Sequence, residues 1–349
     1  MNAVPDSGFL FGTGSSHAGA EATRALPDDI PRPRTQPLSI LVVTNMYPAP
    51  ESPYYGTFVA EQVEGLRRLD GIADVDVVFI DGRTNWTNYL RGAREVRKAL
   101  RAKRYDIVHA HYGLAGAIAV VQTRIPVVVT YHSGDIDFIR WHRWISRVTA
   151  RATALNICVC EADMPKLRAP SVYVPCGIDL ESFRPPDRVG ARRRHDLADD
   201  DLALLFPGPR EHRKKAYYRF EEVREALRAR GHNVVELRLE NVTRKDVPLL
   251  FAAADVLLLT STSEGSPVSV MEALAGGVPI VATDVGDVKS MVSGVQNCYS
   301  GAYDCEQFVR WVEAVDRTAP RVPTTRSRRF DQRRILAALQ SAYSEVKRT

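Results

Sequence analysis

Short β-branched apolar runs alternate with helix-like stretches from Leu38 onward, and the alternation starts again after a break. In the first series the runs are residues 39–44, 75–80, 106–110, 127–131 and 155–160, with helical segments such as 59–69 and 91–103 between them. Apolar runs of about five residues separated by helices predict parallel strands covered on both faces, and so an open α/β sheet. The chain turns at Val174-Pro175-Cys176-Gly177-Ile178-Asp179, and the polar stretch 184–201 reads as an interdomain linker. A second series follows, with strands expected at 202–206, 233–237, 256–260 and 278–282 and helices at 217–230, 248–253 and 267–275. Two such series predict two Rossmann-like domains facing each other across a cleft at the carboxyl ends of their sheets. The boundaries expected are 38–178 for the first domain and 179–329 for the second, with a final helix within 330–349 rejoining the first.

The 349 residues suffice for two domains with proper cores, at ~150 residues each. With 45% hydrophobic and 26% charged residues the chain is globular rather than disordered or fibrous. Five cysteines without C-x-x-C spacing argue against a disulfide framework or zinc ribbon and for a reducing, cytoplasmic setting. The net charge of +5 suits phosphate-bearing or membrane-surface partners without pointing to nucleic acid. No run approaches the ~18 apolar residues of a membrane span, and the N-terminus has no secretory-signal pattern. Residues 1–37 read as a flexible tail, and Gly12-Thr13-Gly14 within them fails as a dinucleotide fingerprint because no strand precedes it.

The chemistry concentrates in Thr260-Ser261-Thr262-Ser263-Glu264-Gly265-Ser266-Pro267-Val268-Ser269-Val270-Met271-Glu272. A strand ends near Thr260 and a glycine loop leads into a helix, with Ser266 as expected N-cap, Pro267 as first helical residue and Gly276-Gly277 as the stop. Free N–H groups at such a helix start can hold a diphosphate. Glu272 lies about 7.5 Å further along the axis at ~1.5 Å per residue, which suits a ribose whose hydroxyls donate to a carboxylate. Glu264, before the loop, would reach the sugar side of the diphosphate. One glutamate alone is more simply an exposed side chain; it is the combination that points to a site.

Residues 255–284 resemble the nucleotide-sugar site of GT-B glycosyltransferases, in the large retaining group numbered family 4. The signature there is two glutamates with seven residues between them, as in Glu264 and Glu272. The resemblance extends in order and layout over most of residues 38–349 and is strongest over 247–292. It implies that Glu272 binds the donor ribose, that Glu264 stands near the donor sugar, and that Gly265, Ser266, Pro267 and Val268 line the diphosphate with backbone.

A second match is Phe206-Pro207-Gly208-Pro209-Arg210-Glu211-His212-Arg213-Lys214-Lys215. The resemblance implies that Arg210 and Lys215 grip the leaving diphosphate, with Lys214 or Arg213 able to substitute in so cationic a loop. Two preorganised cations can stabilise the departing charge without a metal ion, so neither metal nor cofactor is expected, the nucleotide sugar being a substrate. A third match is Thr130-Tyr131-His132-Ser133-Gly134-Asp135, where the family carries a His-Gly-Ser-Asp-like order. By the resemblance His132 would bond the donor sugar or phosphate and Asp135 would orient the loop, both at the donor site. Gly56, in Tyr55-Gly56-Thr57-Phe58, stands where the family often has a double glycine near phosphate or acceptor, although a glycine before a helix is also a turn residue.

His109 and His111 alternate on a strand and point to one side, which reads as pocket lining or structure rather than half a metal site. Cys158 and Cys160 read as core residues. Residues 91–104 carry seven basic residues against Glu95, and Phe138-Ile139-Arg140-Trp141-His142-Arg143-Trp144-Ile145 mixes aromatics with cations. An anionic membrane surface, nucleic acid and plain solvent all remain open for these segments, nucleic acid being disfavoured because no recognised module accompanies the charge. The function expected is retaining sugar transfer from a nucleoside-diphosphate sugar to a glycan, lipid-linked or small-molecule acceptor in surface polysaccharide or glycolipid synthesis. The setting expected is cytoplasmic, with a peripheral place on the inner face of the membrane left open. A same-fold nucleotide-sugar epimerase and a non-catalytic donor-binding subunit are the alternatives.

Overall fold

The computed structural model describes residues 37–348 apart from Glu51, Pro53, Arg83, Phe138, Ile139, Pro185 and Pro186. The tail at 1–36, with Gly12-Thr13-Gly14, lies outside the described residues, as do Phe138 and Ile139 of the aromatic and cationic stretch. The chain divides into two compact units, one running to Gly177 and resuming at Gln332, the other Ile178–Asp331.

In the first unit, β1 (Leu38–Thr44), α1 (Thr57–Arg67), β2 (Ile72–Phe79), α2 (Asn88–Ala102), β3 (Ile107–His111) and α3 (Gly113–Ala119) come first. They are followed by β4 (Val127–Tyr131), α4 (Gly134–Asp137), α5 (Arg140–Thr149), β5 (Leu155–Cys158), α6 (Met164–Leu167) and β6 (Val172–Tyr173). The strands make one parallel sheet in the order β2-β1-β3-β4-β5-β6, with Val42 level with both Val77 and His109. Side chains alternate across a strand, so Ile40 and Val42 enter one core with Val59, Val63 and Leu66 of α1. Leu41 and Val43 enter the opposite core with Val96 of α2 and Ala115 and Ala119 of α3. Burial on both faces is why β1 reads as a nearly unbroken apolar run.

The second unit holds α7 (Arg188–Arg194), β7 (Leu202–Phe206), α8 (Tyr217–Ala229), β8 (Val234–Arg238), α9 (Val247–Ala253) and β9 (Val256–Leu259). Next come α10 (Val268–Gly276), β10 (Ile280–Thr283), α11 (Val288–Val292), β11 (Cys298–Gly301) and α12 (Cys305–Glu313). Its parallel sheet is ordered β11-β10-β9-β7-β8 and is again covered on both faces. The chain then re-enters the first unit as α13 (Gln332–Arg348), which sets Ile335, Leu336, Leu339, Tyr343 and Val346 into the core beside α1. Gly65 of α1 makes room, since a Cβ there would stand 2.4 Å from Leu336 Cδ1.

Two expectations are corrected. The polar stretch 184–201 is not a linker: α7 lies in it, N-capped by Asp187 through Val189 N at 3.0 Å. Its Arg188 and Arg192, with Arg317, converge on Asp255, a fully buried carboxylate ahead of β9 that needs counter-charge. The final helix begins at Gln332 instead of residue 330, because Phe330 is buried in the second unit's core and its carbonyl accepts from Ile178 N at 2.8 Å. β6, β11 and α12 carried no strong signal; β6 has two residues and β11, at a sheet edge, only half-buried ones. No helix among the described residues is long and apolar enough to cross a membrane.

Candidate functional site

In the second unit two loops, after β7 and after β9, are stitched together at the carboxyl ends of their strands. Thr262 N donates to Lys214 O at 2.8 Å, and the buried Thr260 hydroxyl reaches Lys215 O at 3.2 Å. Thr283 at the end of β10 donates to Ser261 O at 2.7 Å, tying in the next strand. Lys215 Nζ thereby comes to 2.8 Å from Glu264 Oε1, which also accepts from Ser261 Oγ at 2.7 Å. Lys214 contributes to this arrangement through its carbonyl. Gly265 is pinned by its own carbonyl, which accepts from Asp287 N at 2.9 Å. Gly286 passes so close that a Cβ there would lie 1.9 Å from Gly265 O, and its φ of +56° favours glycine in any case.

α10 follows this loop, and its cap differs from the one expected. Pro267, with φ −69° and ψ 116°, occupies the N-cap, and no side chain closes the helix. Proline fixes its own φ and holds the residue before it extended, so Ser266 stands one place outside the capping position. Among the described residues the Ser266 and Ser269 hydroxyls are buried without a partner. The helix start therefore gathers unpaired hydroxyls and N–H groups lacking intrahelical acceptors at its positive end, a set of donors suited to an anion.

Glu272 sits on the second turn among the buried Val270, Met271, Ala273 and Leu274, and is itself buried. An isolated carboxylate there would be costly; Arg244, from the loop after β8, pairs with it and lies over the Phe183 ring at 5.3 Å. Arg244 escaped sequence reasoning because a pairing across 28 positions leaves no local spacing signal. Arg210 is placed apart from Lys215. Its Nη2 meets both Glu236 oxygens at 3.0 and 2.9 Å and its guanidinium stacks on Tyr217 at 4.5 Å, while Glu236 also holds Arg224 at 2.8 Å.

In the first unit His132 follows β4. Its Nε2 lies 3.1 Å from His111 Nδ1, and its ring packs 5.0 Å from Phe58. His109, 4.4 Å from His111 ring to ring, is held by Tyr343 of α13 at 2.6 Å and Thr130 at 2.8 Å. Burial takes His111 down to about 3, and burial with His111 nearby holds His132 well below the usual imidazole value. His109 is lowered likewise, by burial and then by His111 and His132. All three are neutral at pH 7. His111 Nε2 is buried without a partner among the described residues. Buried donors lacking acceptors are the rarer case, so the proton is assigned to His111 Nδ1, donating to His132 Nε2. His132 then carries its own proton on Nδ1, as a neutral hydrogen-bond donor.

Asp135 holds two backbone N–H groups of the first unit. It is fully buried, with Oδ2 accepting from Gly113 N at 2.8 Å and Oδ1 from His132 N at 3.0 Å. Burial, working against those two N–H bonds, pushes its carboxyl up to about 7. The His-Ser-Gly-Asp order has a cost, because Ser133 takes the left-handed conformation at φ 59° that glycine adopts freely. Gly56 is the α1 N-cap at φ 75°, and a Cβ on it would lie 2.3 Å from the Met46 carbonyl carbon, so close backbone packing alone requires glycine there.

A family model described as Glycosyltransferase Family 4 matches residues 40–182, and one described as Glycosyl transferases group 1 matches residues 191–315. The chain is 26% identical over 329 residues to a putative teichuronic acid biosynthesis glycosyltransferase, TuaC, of Bacillus subtilis, covering 73% of this chain and 83% of that one. It is 29% identical over 307 residues to a D-inositol 3-phosphate glycosyltransferase of Saccharomonospora viridis, covering 69% and 70%. With the Escherichia coli UDP-Gal:alpha-D-GlcNAc-diphosphoundecaprenol alpha-1,3-galactosyltransferase it shares 24% identity over 240 residues, 56% of this chain and 62% of that one. Among solved structures, sucrose-phosphate synthase from Thermosynechococcus elongatus superposes with a TM-score of 0.74 at 17% identity, over 88% of this chain and 98% of that one. Anabaena HepE in complex with UDP-glucose gives 0.65 at 16% identity, over 88% and 100%. Two family models matched in succession over residues 40–182 and 191–315, and two parallel-stranded α/β units of the GT-B type, place this chain among the group 1 glycosyltransferases.

Proposed function

We propose that the protein transfers a sugar, with retention at the anomeric carbon, from a nucleoside-diphosphate sugar to a hydroxyl of a lipid-linked glycan intermediate in surface polysaccharide or glycolipid synthesis. The observation that carries the donor reading is the start of α10, where two buried hydroxyls lack partners one turn before a buried glutamate. In this reading the diphosphate lies on Gly265, Ser266, Pro267 and Val268, and Glu272, oriented by Arg244, accepts from the ribose hydroxyls. Lys215 balances the β-phosphate, with Arg210 and Lys214 adding positive charge. Glu264, held on Lys215, faces the sugar, and within the first unit His132 offers Nδ1–H as a neutral hydrogen-bond donor. UDP-glucose bound to HepE supports a nucleotide-sugar donor, and the diphosphoundecaprenol named for the E. coli relative supports a lipid-linked acceptor.

No carboxylate is an evident covalent nucleophile, so attack is taken to come from the face the leaving group departs. The bond from the anomeric carbon to the diphosphate oxygen breaks, and the acceptor oxygen bonds to that carbon. The acceptor proton passes to the departing phosphate oxygen. Lys215 thus stabilises the group that also serves as base, which is the group whose charge grows in the transition state. Calorimetry with UDP, GDP and ADP on the wild type and Glu272→Ala tests the site. Micromolar binding of one diphosphate, weakened about tenfold or more by the substitution, is expected. Binding of none would move the assignment to a non-catalytic subunit, and donor turnover to an epimer without acceptor would move it to an epimerase.

A further inference from the structure

The first unit exposes a face that donor chemistry does not use. α2, α3 and α5 lie side by side over one face of the sheet, with α3 in the middle. α3 is built of small residues, and a Cβ at Gly113 would fall 2.0 Å from Ser146 Oγ and one at Gly116 3.0 Å from Thr149 Cγ2. That close approach fixes the rotation of α5: Ser146 and Thr149 point inward, so Trp141, Trp144, Val148 and Arg151 form the outward stripe. Trp141 is 53% and Trp144 66% exposed. α2 is fixed likewise, because Gly92 sits against Ile80 with Val96 buried, leaving Leu90, Arg94, Arg97, Lys98 and Arg101 outward. Trp86, 72% exposed, lies just ahead of it. Both helices run antiparallel to the parallel strands they connect, so their starts, with Trp86, Leu90, Trp141 and Trp144, lie toward the same end of the layer.

Three of the chain's four tryptophans are therefore outward on one layer, among cations. Arg94, Arg97, Lys98 and Arg101 line one open groove, and the only acid in α2 is Glu95. Partial burial and then Arg168, Arg143 and Arg151 lower Arg147 from its usual value, as expected of crowded like charge. Among the described residues no carboxylate pairs with Arg147 or Arg151.

We infer that this α2–α5 face docks the protein on a bilayer carrying anionic headgroups, with Trp86, Trp141 and Trp144 at the headgroup level and the arginines on lipid phosphates. Indole rings suit that level because one edge is apolar and one wet, and guanidiniums match phosphate oxygens. The aliphatic Leu90 and Val148, both exposed on this face, sit well against acyl chains. A nucleic-acid strand would stack on the aromatics but gain nothing from the aliphatics. The inference deepens the lipid-linked-acceptor reading, and its test needs no turnover.

The test is flotation of the full chain with vesicles of phosphatidylcholine alone or mixed with phosphatidylglycerol. The protein should float with the mixed vesicles and not with the neutral ones. Trp141→Ser with Trp144→Ser, and separately Arg94→Glu with Arg97→Glu and Arg101→Glu, should each lower binding about tenfold or more. Nucleoside-diphosphate binding, measured on the same samples, should stay at the wild-type level and so report an intact fold. Wild type that fails to float overturns the docking face, as does floating that survives the tryptophan substitutions. A chain that self-associates through these tryptophans without binding vesicles assigns the face to a protein partner and also overturns it. Vesicle binding without diphosphate binding would leave the docking face standing and sink the transferase reading instead.

Discussion

Lys215 and Glu264 meet at 2.8 Å where the loops after β7 and β9 are joined, so a bound diphosphate has to share the lysine with the carboxylate. In the proposed reading, removing the lysine takes away a preorganised cation that faces the leaving group. Lys215→Ala is expected to lower turnover about 10²-fold with the fold intact, measured as initial rate against circular dichroism. An unchanged rate would assign Lys215 to structure. The histidine cluster carries a pH signature. His109 and His111 are fully buried with lowered values, so their contribution to stability is present above pH 6.5 and is lost as pH falls, when the unfolded chain takes up protons that the folded chain refuses. Asp135, raised to about 7, acts in the opposite sense, since below that pH the folded state keeps a proton that the unfolded state releases. The three lowered histidines outnumber the one raised aspartate, so the net slope is a loss of stability as pH falls from 6 to 5. Denaturant titrations at both values should show that slope, and His111→Phe should flatten it. The sequence singled out Glu264, Glu272 and Lys215 because they stand at fixed offsets in the loops after β7 and β9 and on the helix that follows. Arg244, Glu236 and the His111–His132 bond were not legible, since each depends on a contact between separate strands or loops.

α10 shows how far local rules reach. Glycine, serine and proline before an apolar run announced a helix start, and the helix lies within a residue or so of its expected place. The identity of the cap did not follow, because proline at the N-cap displaced the serine and left its hydroxyl buried without a partner. The same loop depends on a residue outside the motif. Gly286, ahead of α11, faces Gly265 O where a Cβ would stand at 1.9 Å, and only glycine adopts its φ without strain. Gly286→Ala should cost about 2 kcal/mol or more, from the left-handed backbone and the clash together, and should weaken diphosphate binding by displacing residues 264–268. Thermal melts and calorimetry on one sample check both effects, and unchanged diphosphate affinity would separate Gly286 from the loop. α7 illustrates the opposite failure. Its arginines read as a solvated linker from local charge, yet the carboxylate they neutralise lies more than sixty positions away in Asp255.

At the scale of the whole molecule, the chain leaves its first unit at Gly177 and re-enters it at Gln332. α13 therefore completes a core begun three hundred residues earlier, and Ile335, Leu336, Leu339, Tyr343 and Val346 are its share. Five such side chains are worth ~8–15 kcal/mol of burial, on the scale of a domain's entire stability of ~5–15 kcal/mol. A chain ending at residue 331 should thus lose the first unit's cooperative melt and keep the second's, as read by calorimetry and limited proteolysis; a chain that keeps both transitions would show α13 to be dispensable. Apolar periodicity determined the two α/β units and nearly all of their strands, and turn and helix-start residues marked the loop–helix motif. These are properties of neighbours in sequence, where strand alternation, helix starts and turn chemistry act over a few residues. Which charges pair, which histidine nitrogen holds a proton, and which helices share the tryptophan face were decided only by the tertiary structure. Burial brings together groups dozens to hundreds of positions apart, and a buried charge or lone pair is satisfied by whatever the packing sets beside it.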